Sequence, residues 1–188
     1  MRKLTALFPL LVLFWMASAQ AHGPVRQKIQ EAIDINAPAD KVWELVKDFC
    51  SIEKWHPKVV SCTAEGGNEK GGKRILKLEG GGEVVEELKK YNADKMMYSY
   101  KIKDMSAAKK IVHASQEIEV PVLPVANYSS TFQVKKSGDG AKVIWKGAFY
   151  RAYMNNNPPE EMNEDAAIQA VTELYKSGLE NLKKLAEN

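Results

Sequence analysis

The order of the predicted elements constrains this chain more than any other feature of its sequence. Residues 27–35 alternate apolar and polar side chains, which is typical of a strand with one buried face. Further strands are predicted at 59–64, 74–78, 83–91, 96–102, 125–135 and 141–150. Short turns join most of them, such as the hairpin signal Ser137-Gly138-Asp139-Gly140. Consecutive strands with short turns predict an antiparallel sheet.

A long amphipathic helix is predicted after the last strand. Its apolar stripe has helical spacing and consists of Ile168, Val171, Leu174, Tyr175, Leu179, Leu182 and Leu185. The segment 157–160 is one predicted start, and Asn163 is an alternative N-cap. Two short helices are predicted after the first strand, one opening near Pro38 and one over 51–57. The predicted fold class is α+β, with a curved seven-stranded antiparallel sheet around a long C-terminal helix.

The first 21 residues have the pattern of a secretory signal peptide. Arg2 and Lys3 precede an apolar run over 7–16, and small residues follow at 17–21. The run is shorter than the ~20 apolar residues that a helix needs to cross a bilayer. Cleavage after Ala21 would leave one domain, residues 22–188, with no membrane span. We therefore expect an exported protein that resides in the periplasm.

The charge of the chain narrows its possible partners. The 188 residues carry a net charge of +3, and the predicted signal peptide holds two basic residues and no acidic one, so +1 remains after cleavage. A charge this small, with no basic face in the sequence, argues against nucleic-acid binding. The sequence shows no phosphate loop, nucleophile elbow or paired metal carboxylates, and we expect no cofactor.

Two features depend on the compartment and on the cleavage site. Cys50 and Cys62 either form a disulfide in an oxidising compartment or remain as two buried thiols, and the sequence leaves both open. Cleavage would also make His22 the N-terminal residue, where an amine and an imidazole together can chelate Cu(II). The alternative for His22 is a flexible terminus that binds no metal.

Several motifs resemble those of the helix-grip, or START-like, superfamily. They are Ala37-Pro38-Ala39-Asp40-Lys41-Val42-Trp43, Trp55-His56-Pro57, Gly72-Lys73-Arg74, Glu86-Glu87-Leu88, and the segments 123–130 and 145–151. The resemblance covers nearly all of residues 22–188 and implies the helix-grip fold. With its signal peptide, the chain is most similar to the MxaD type within the polyketide cyclase/dehydrase group.

The resemblance also implies a function. MxaD-type proteins are periplasmic accessories of bacterial methanol oxidation that act between methanol dehydrogenase and its cytochrome c. The resemblance therefore implies a non-catalytic binding protein with a cavity for a small apolar ligand. It also implies methanol dehydrogenase and its cytochrome c as partners. Two alternatives stay open: a carrier of lipids or small metabolites, and a polyketide cyclase/dehydrase-like enzyme. In the enzyme, Glu86 is the candidate catalytic base.

Helix-grip folds leave a cavity between sheet and terminal helix, and strand alternation predicts which residues face it. The predicted inward residues include Val60, Arg74, Leu76, Leu78, Glu86, Tyr98, Tyr100, Tyr128, Ser130, Lys146 and Tyr150. Inward charges must pair or meet a ligand, because burying a lone charge costs several kcal/mol. Glu86 is therefore predicted either to pair with Arg74 or Lys146, or to belong to a polar floor that anchors the head group of a ligand.

The segment 103–120 is longer than the connection that relatives usually have between these two strands. In receptor-like relatives this connection lies over the cavity mouth, opposite the loop that is 79–83 in this chain. It is predicted to cover the cavity or to offer a docking surface, and the alternative is a longer hairpin with solvated charges. Mouth or partner contacts are predicted for Trp55, His56, Lys109, Lys110 and His113. For His56 the alternative is a loop histidine packed beside Trp55.

Overall fold

The computed structural model describes residues 23–188 of the chain. The predicted signal peptide and His22 lie outside the described residues, so both remain predictions. The strands are β1 (Gln27–Ile35), β2 (Val59–Glu65), β3 (Lys73–Leu78), β4 (Glu83–Asn92), β5 (Met97–Met105), β6 (Ala107–His113), β7 (Gln116–Pro121), β8 (Val125–Ser137) and β9 (Gly140–Arg151). The α-helices are α1 (Ala39–Val46), α2 (Ile52–Trp55) and α3 (Glu164–Glu187), with a short 3-10 turn at Glu160–Met162.

Seven strands form one antiparallel sheet in the order β1-β9-β8-β5-β4-β3-β2. β1 and β2 occupy its opposite edges, and the two short helices make the crossing between them. α3 packs its apolar stripe against the concave face, where Tyr175 stacks on Trp145 with ring centroids 4.2 Å apart. The predicted helix-grip fold, with two short helices after the first strand, is confirmed.

The long helix begins at the alternative cap. The Asn163 side chain accepts a hydrogen bond from the backbone N–H of Ala166 at 2.8 Å and so caps α3. The proline-rich start predicted at 157–160 is instead a bend at Asn157 and two non-helical prolines, which lead into the 3-10 turn. The Asn163 backbone is extended and accounts for the break between the turn and the helix.

The segment 103–120 folds as the longer hairpin, since β6 and β7 pair in a separate two-stranded sheet. The hairpin leans on the chain before α3: His113 Nε2 lies 2.8 Å from the carbonyl oxygen of Asn157, and Lys109 pairs with Glu161 at 3.2 Å. The Lys110 ammonium pairs with Glu117 on the neighbouring strand at 2.8 Å. The contacts with Asn157 and Glu161 tie the hairpin to the segment that precedes α3.

A glycine lets α3 approach the aromatic core. A Cβ atom added at Gly178 would stand 2.5 Å from His56 Cδ2 and 3.1 Å from Trp145 Cζ3. Both rings are almost fully buried, so neither can move aside freely. The missing side chain is therefore a packing requirement at this helix position.

Gly178→Ala is expected to lower the free energy of unfolding by about 1–2 kcal/mol, because overpacking outweighs the ~1 kcal/mol that alanine gains in helix propensity. Urea denaturation measures the difference. Lys176→Ala, at an exposed position of the same helix, is the control and should change stability by less than about 0.5 kcal/mol. A stabilised Gly178→Ala variant would show that the core relaxes around the added methyl group.

A disulfide joins Cys50, just before α2, to Cys62 on β2, with the two Cα atoms 5.7 Å apart. Of the two interpretations that the sequence left open, the structure has the disulfide. It holds α2, and with it His56, against the edge of the sheet. Its closed loop is short, since the two cysteines are 12 positions apart in sequence.

Replacing both cysteines with serine is expected to lower the free energy of unfolding by about 2–3 kcal/mol, since a short loop no longer restricts the unfolded chain. Chemical denaturation with and without dithiothreitol gives the measurement. Reduction should destabilise the native protein by a similar amount and leave the double variant unchanged. An effect of the reductant on the double variant would contradict the assignment of the loss to this bond.

Candidate functional site

A cavity of about 250 Å³ lies between the concave face of the sheet and the helices α2 and α3. Most of its lining is apolar: Ile52, Val59, Leu76, Leu78, Val84, Ile102, Val122, Leu123, Ala170 and Leu174, with Trp145. Lys58, Glu79 and Glu173 are exposed and mark its rim. The buried polar lining consists of Glu86, Tyr100, Tyr128 and His56. The site is thus an apolar chamber with a few polar groups on its buried wall.

Glu86 forms a buried ion pair with Arg74, which lies opposite it on the neighbouring strand. Arg74 Nε donates to Glu86 Oε2 at 2.6 Å, and its Nη1 donates to the carbonyl oxygen of Phe49. The guanidinium carbon lies 4.0 Å from the centre of the Phe49 ring. Burial raises the pKa of Glu86, and the positive charge of Arg74 opposes that rise. Of the predicted pairings, Arg74–Glu86 is the one that forms.

Hydroxyl groups form a chain beside this pair. The hydroxyl oxygens of Tyr128 and Tyr175 are 2.5 Å apart, and Tyr175 lies 3.1 Å from Ser130 Oγ. Ser130 donates to the carbonyl oxygen of Lys146 at 2.8 Å. Since a serine has one proton, Tyr175 must donate to Ser130, and Tyr128 must donate to Tyr175. Burial raises the pKa of both tyrosines well above the usual range, so both remain neutral phenols.

His56 follows α2 and is 2% exposed, so it lies inside the protein. Its Nδ1 accepts the backbone N–H of Lys58 at 3.1 Å, which leaves the proton on Nε2, 3.0 Å from the carbonyl oxygen of Leu174. Burial lowers the pKa of His56 from 6.5 to about 4. The ring also packs against Trp55, with centroids 5.7 Å apart. It is therefore a neutral cavity residue whose two nitrogens are already bonded.

Trp55 was predicted at the mouth or at a partner contact, and this is wrong because α2 directs its indole into the core. Trp55 is 1% exposed, and its ring contacts Phe132 and Trp145. Lys109 and Lys110 are exposed but belong to the ion pairs of the β6–β7 hairpin and do not line the cavity. His113 packs on Tyr153 and also lies away from the lining.

The predicted inward face of β9 is wrong by one residue. Lys146 is exposed and Tyr150 lies on the outer face, where Arg26 stacks over its ring at 5.4 Å. Trp145 and Phe149 point inward instead. Val60 on β2 also faces solvent, because a bulge after Val59 shifts the register.

On β3, β4, β5 and β8 the residues predicted to face inward do so. Only some of these residues line the cavity. Leu76, Leu78, Glu86, Tyr100 and Tyr128 line it. Arg74, Tyr98 and Ser130 are buried behind the lining and support it. Tyr98 stacks on Phe132 with ring centroids 5.4 Å apart.

The sequence interpretation missed the lining residues that come from outside the inward strand faces. Ile52 comes from α2, Ala170 and Leu174 from α3, and Val122 and Leu123 from the segment after β7. The predicted apolar stripe of the C-terminal helix contains Leu174. Helical spacing alone does not show which residues of the stripe line a cavity and which pack in the filled core. Trp145 was missed because of the reversed face on β9.

The polyketide cyclase / dehydrase and lipid transport family has a model that matches residues 26–187. Protein XoxI from Bacillus cereus is 26% identical, with a TM-score of 0.66 over 85% of this chain and 94% of that one. An uncharacterised protein from Bacillus thuringiensis is 25% identical, with a TM-score of 0.67 over 86% of this chain and 100% of that one.

More distant structures share the fold alone. Major latex-like protein 151 from Panax ginseng is 12% identical, with a TM-score of 0.61 over 86% of this chain and 98% of that one. No curated protein is significantly similar in sequence. The family match covers most of the chain, and it agrees with the superfamily that the motifs indicated. The chain belongs to the polyketide cyclase / dehydrase and lipid transport family.

Proposed function

We propose that this protein is a non-catalytic binding protein that holds a small apolar ligand in the cavity between sheet and α3. The observation that carries the proposal is a 250 Å³ chamber with mostly apolar lining inside a well-packed domain. Protein interiors normally leave few voids larger than a water molecule, so a cavity of this size leaves room for a small ligand. The lipid-transport part of the family description supports the same role.

The state of the polar groups favours binding over catalysis. A general base needs a free lone pair and a pKa near the working pH. Both nitrogens of His56 are bonded to backbone groups, and burial keeps Tyr128 protonated. Glu86 retains a lone pair on Oε1, but Arg74 neutralises its charge through Oε2. A cyclase/dehydrase-like reaction with Glu86 as its base stays the alternative, because the family description includes such enzymes.

Export to the periplasm and a role in methanol oxidation complete the proposal. The signal-peptide pattern supports export, and the disulfide suits an oxidising compartment. Within residues 23–188 no helix is both long and apolar enough to span a bilayer. The MxaD-like motifs support methanol dehydrogenase and its cytochrome c as partners.

A tagged form of the protein should recover one of these two partners from periplasmic extract. Recovery of neither would refute the role in methanol oxidation and leave the binding role untouched.

Native mass spectrometry of protein purified from its own compartment tests the binding role. We expect a mass above that of the polypeptide, which disappears after denaturation. Ala170→Trp should abolish the added mass, because Ala170 lines the cavity and an indole there fills it. Gln169→Trp, at the adjacent exposed position, is the control and should retain the ligand. An empty cavity in the native protein would count against the proposal.

A further inference from the structure

Two polar groups on the cavity wall keep hydrogen-bonding capacity that the protein itself does not use. Glu86 has two carboxylate oxygens, and Arg74 donates to Oε2. Among residues 23–188, Oε1 receives no hydrogen bond, although the Glu86 side chain is only 7% exposed and lines the cavity. Among the described residues, Trp55 Nε1 is the one fully buried side-chain polar atom without a partner, so Glu86 Oε1 keeps some accessible surface on the cavity wall and is available to a group inside the cavity.

The second atom is the hydroxyl of Tyr100. Trp145 Nε1 donates to this oxygen at 3.0 Å, so Tyr100 acts as an acceptor toward the protein. Ser130 Oγ is near enough to act on the Tyr100 hydroxyl, but its two lone pairs already receive protons from Trp145 and Tyr175. Among the described residues, the Tyr100 proton therefore has no acceptor of its own. Tyr100 is 2% exposed and lines the same cavity as Glu86. The tyrosine therefore presents a free donor to the cavity.

The two atoms lie on neighbouring strands. Glu86 on β4 is opposite Ile102 on β5, and Tyr100 is two residues further along β5 on the same concave face. Diagonal neighbours of this kind are close enough for long side chains to meet one ligand group. One free acceptor and one free donor therefore border the same part of a mostly apolar chamber.

We propose that the cavity recognises a neutral hydroxyl group, and that the ligand is a compact apolar alcohol or phenol. The hydroxyl donates to Glu86 Oε1 and accepts from Tyr100, while its hydrocarbon part contacts the aliphatic lining. This inference rests on the proposed binding function and adds the chemical class of the ligand.

The same wall discriminates against other ligand classes. A hydrocarbon leaves both polar atoms without partners, and a site built to hydrogen-bond a hydroxyl rejects analogues that lack it. A carboxylate would bring a second negative charge against Glu86 in a buried site, where like charges repel strongly. A methyl ether accepts from Tyr100 but has no proton for Glu86.

Isothermal titration calorimetry with four matched probes tests the proposal: 2-naphthol, 2-methoxynaphthalene, naphthalene and 2-naphthoate. We expect 2-naphthol to bind at least tenfold more tightly than each of the other three. Tyr100→Phe should reduce the preference for 2-naphthol over naphthalene severalfold, and Trp145 keeps its second bond to Ser130 Oγ at 2.9 Å. Tyr98→Phe removes the same atom from a tyrosine of the same strand that does not line the cavity, and should leave the preference unchanged.

The outcomes separate this inference from the function on which it rests. Equal affinities for the three neutral probes would overturn the hydroxyl preference and leave the apolar binding site intact. Tightest binding of 2-naphthoate would also overturn it. If none of the four binds, the binding function fails together with the inference. Loss of the preference in Tyr98→Phe as well as in Tyr100→Phe would assign the effect to packing and refute recognition by Tyr100.

Discussion

Arg74→Met is expected to lower the free energy of unfolding by about 3–5 kcal/mol, because it leaves the buried carboxyl group of Glu86 without its partner. Methionine retains much of the length and apolar contact of the arginine stem, so the loss reports mainly the charge. Phe49 also loses the guanidinium over its ring and the bond to its carbonyl oxygen. Urea denaturation at pH 7 measures the difference.

A double variant separates the ion pair from packing. Arg74→Met combined with Glu86→Leu removes both charges, and such apolar replacements of buried pairs are often neutral or stabilising. We expect the double variant to recover most of the stability that the single variant loses. A double variant as unstable as Arg74→Met would show that the arginine acts through packing and through Phe49 instead of through Glu86.

The sequence was sufficient to predict the fold because its local signals agree with one another. On β3 and β5 one face is more apolar than the other, and alternation places Leu76 and Tyr100 inward on that basis. β9 carries apolar residues in both phases, and the wrong phase was predicted to face inward. Lys142 and Lys146 share the phase of Tyr150, whereas Trp145 belongs to the uncharged phase that the structure buries, so the positions of the lysines were the signal that the prediction overlooked.

The candidate site was harder to predict because its walls come from distant parts of the chain. Glu86 and Arg74 lie on neighbouring strands, and the pairing follows from register. Leu174 and Val122 meet them only after α3 packs on the sheet and the β6–β7 hairpin folds. Whether a side chain fills the core or borders empty space depends on this tertiary packing, which local periodicity does not encode.

Acidification from pH 7 to pH 4 is expected to remove about 3 kcal/mol of stability through His56 alone. Burial lowers the pKa of His56 from 6.5 to about 4, the Leu174 carbonyl partly opposes this, and the charges of Arg74 and Lys58 lower it further. A lowered histidine pKa means that the unfolded chain binds the proton more readily. The contribution is therefore complete above pH 6.5 and is lost progressively as the pH falls toward 4.

His56→Gln isolates this contribution, because glutamine retains a donor for the Leu174 carbonyl but does not titrate. Its free energy of unfolding should vary less between pH 6.5 and 4 than that of the native protein, whatever its absolute stability. The partly exposed carboxylates of Glu87 and Glu161 have lowered pKa values and lose their contribution near and below pH 4. They are common to both proteins and cancel in the difference. Parallel pH profiles of the two proteins would show that His56 takes up a proton in the folded protein as readily as in the unfolded chain. The assignment of His56 as a neutral cavity residue would then be wrong.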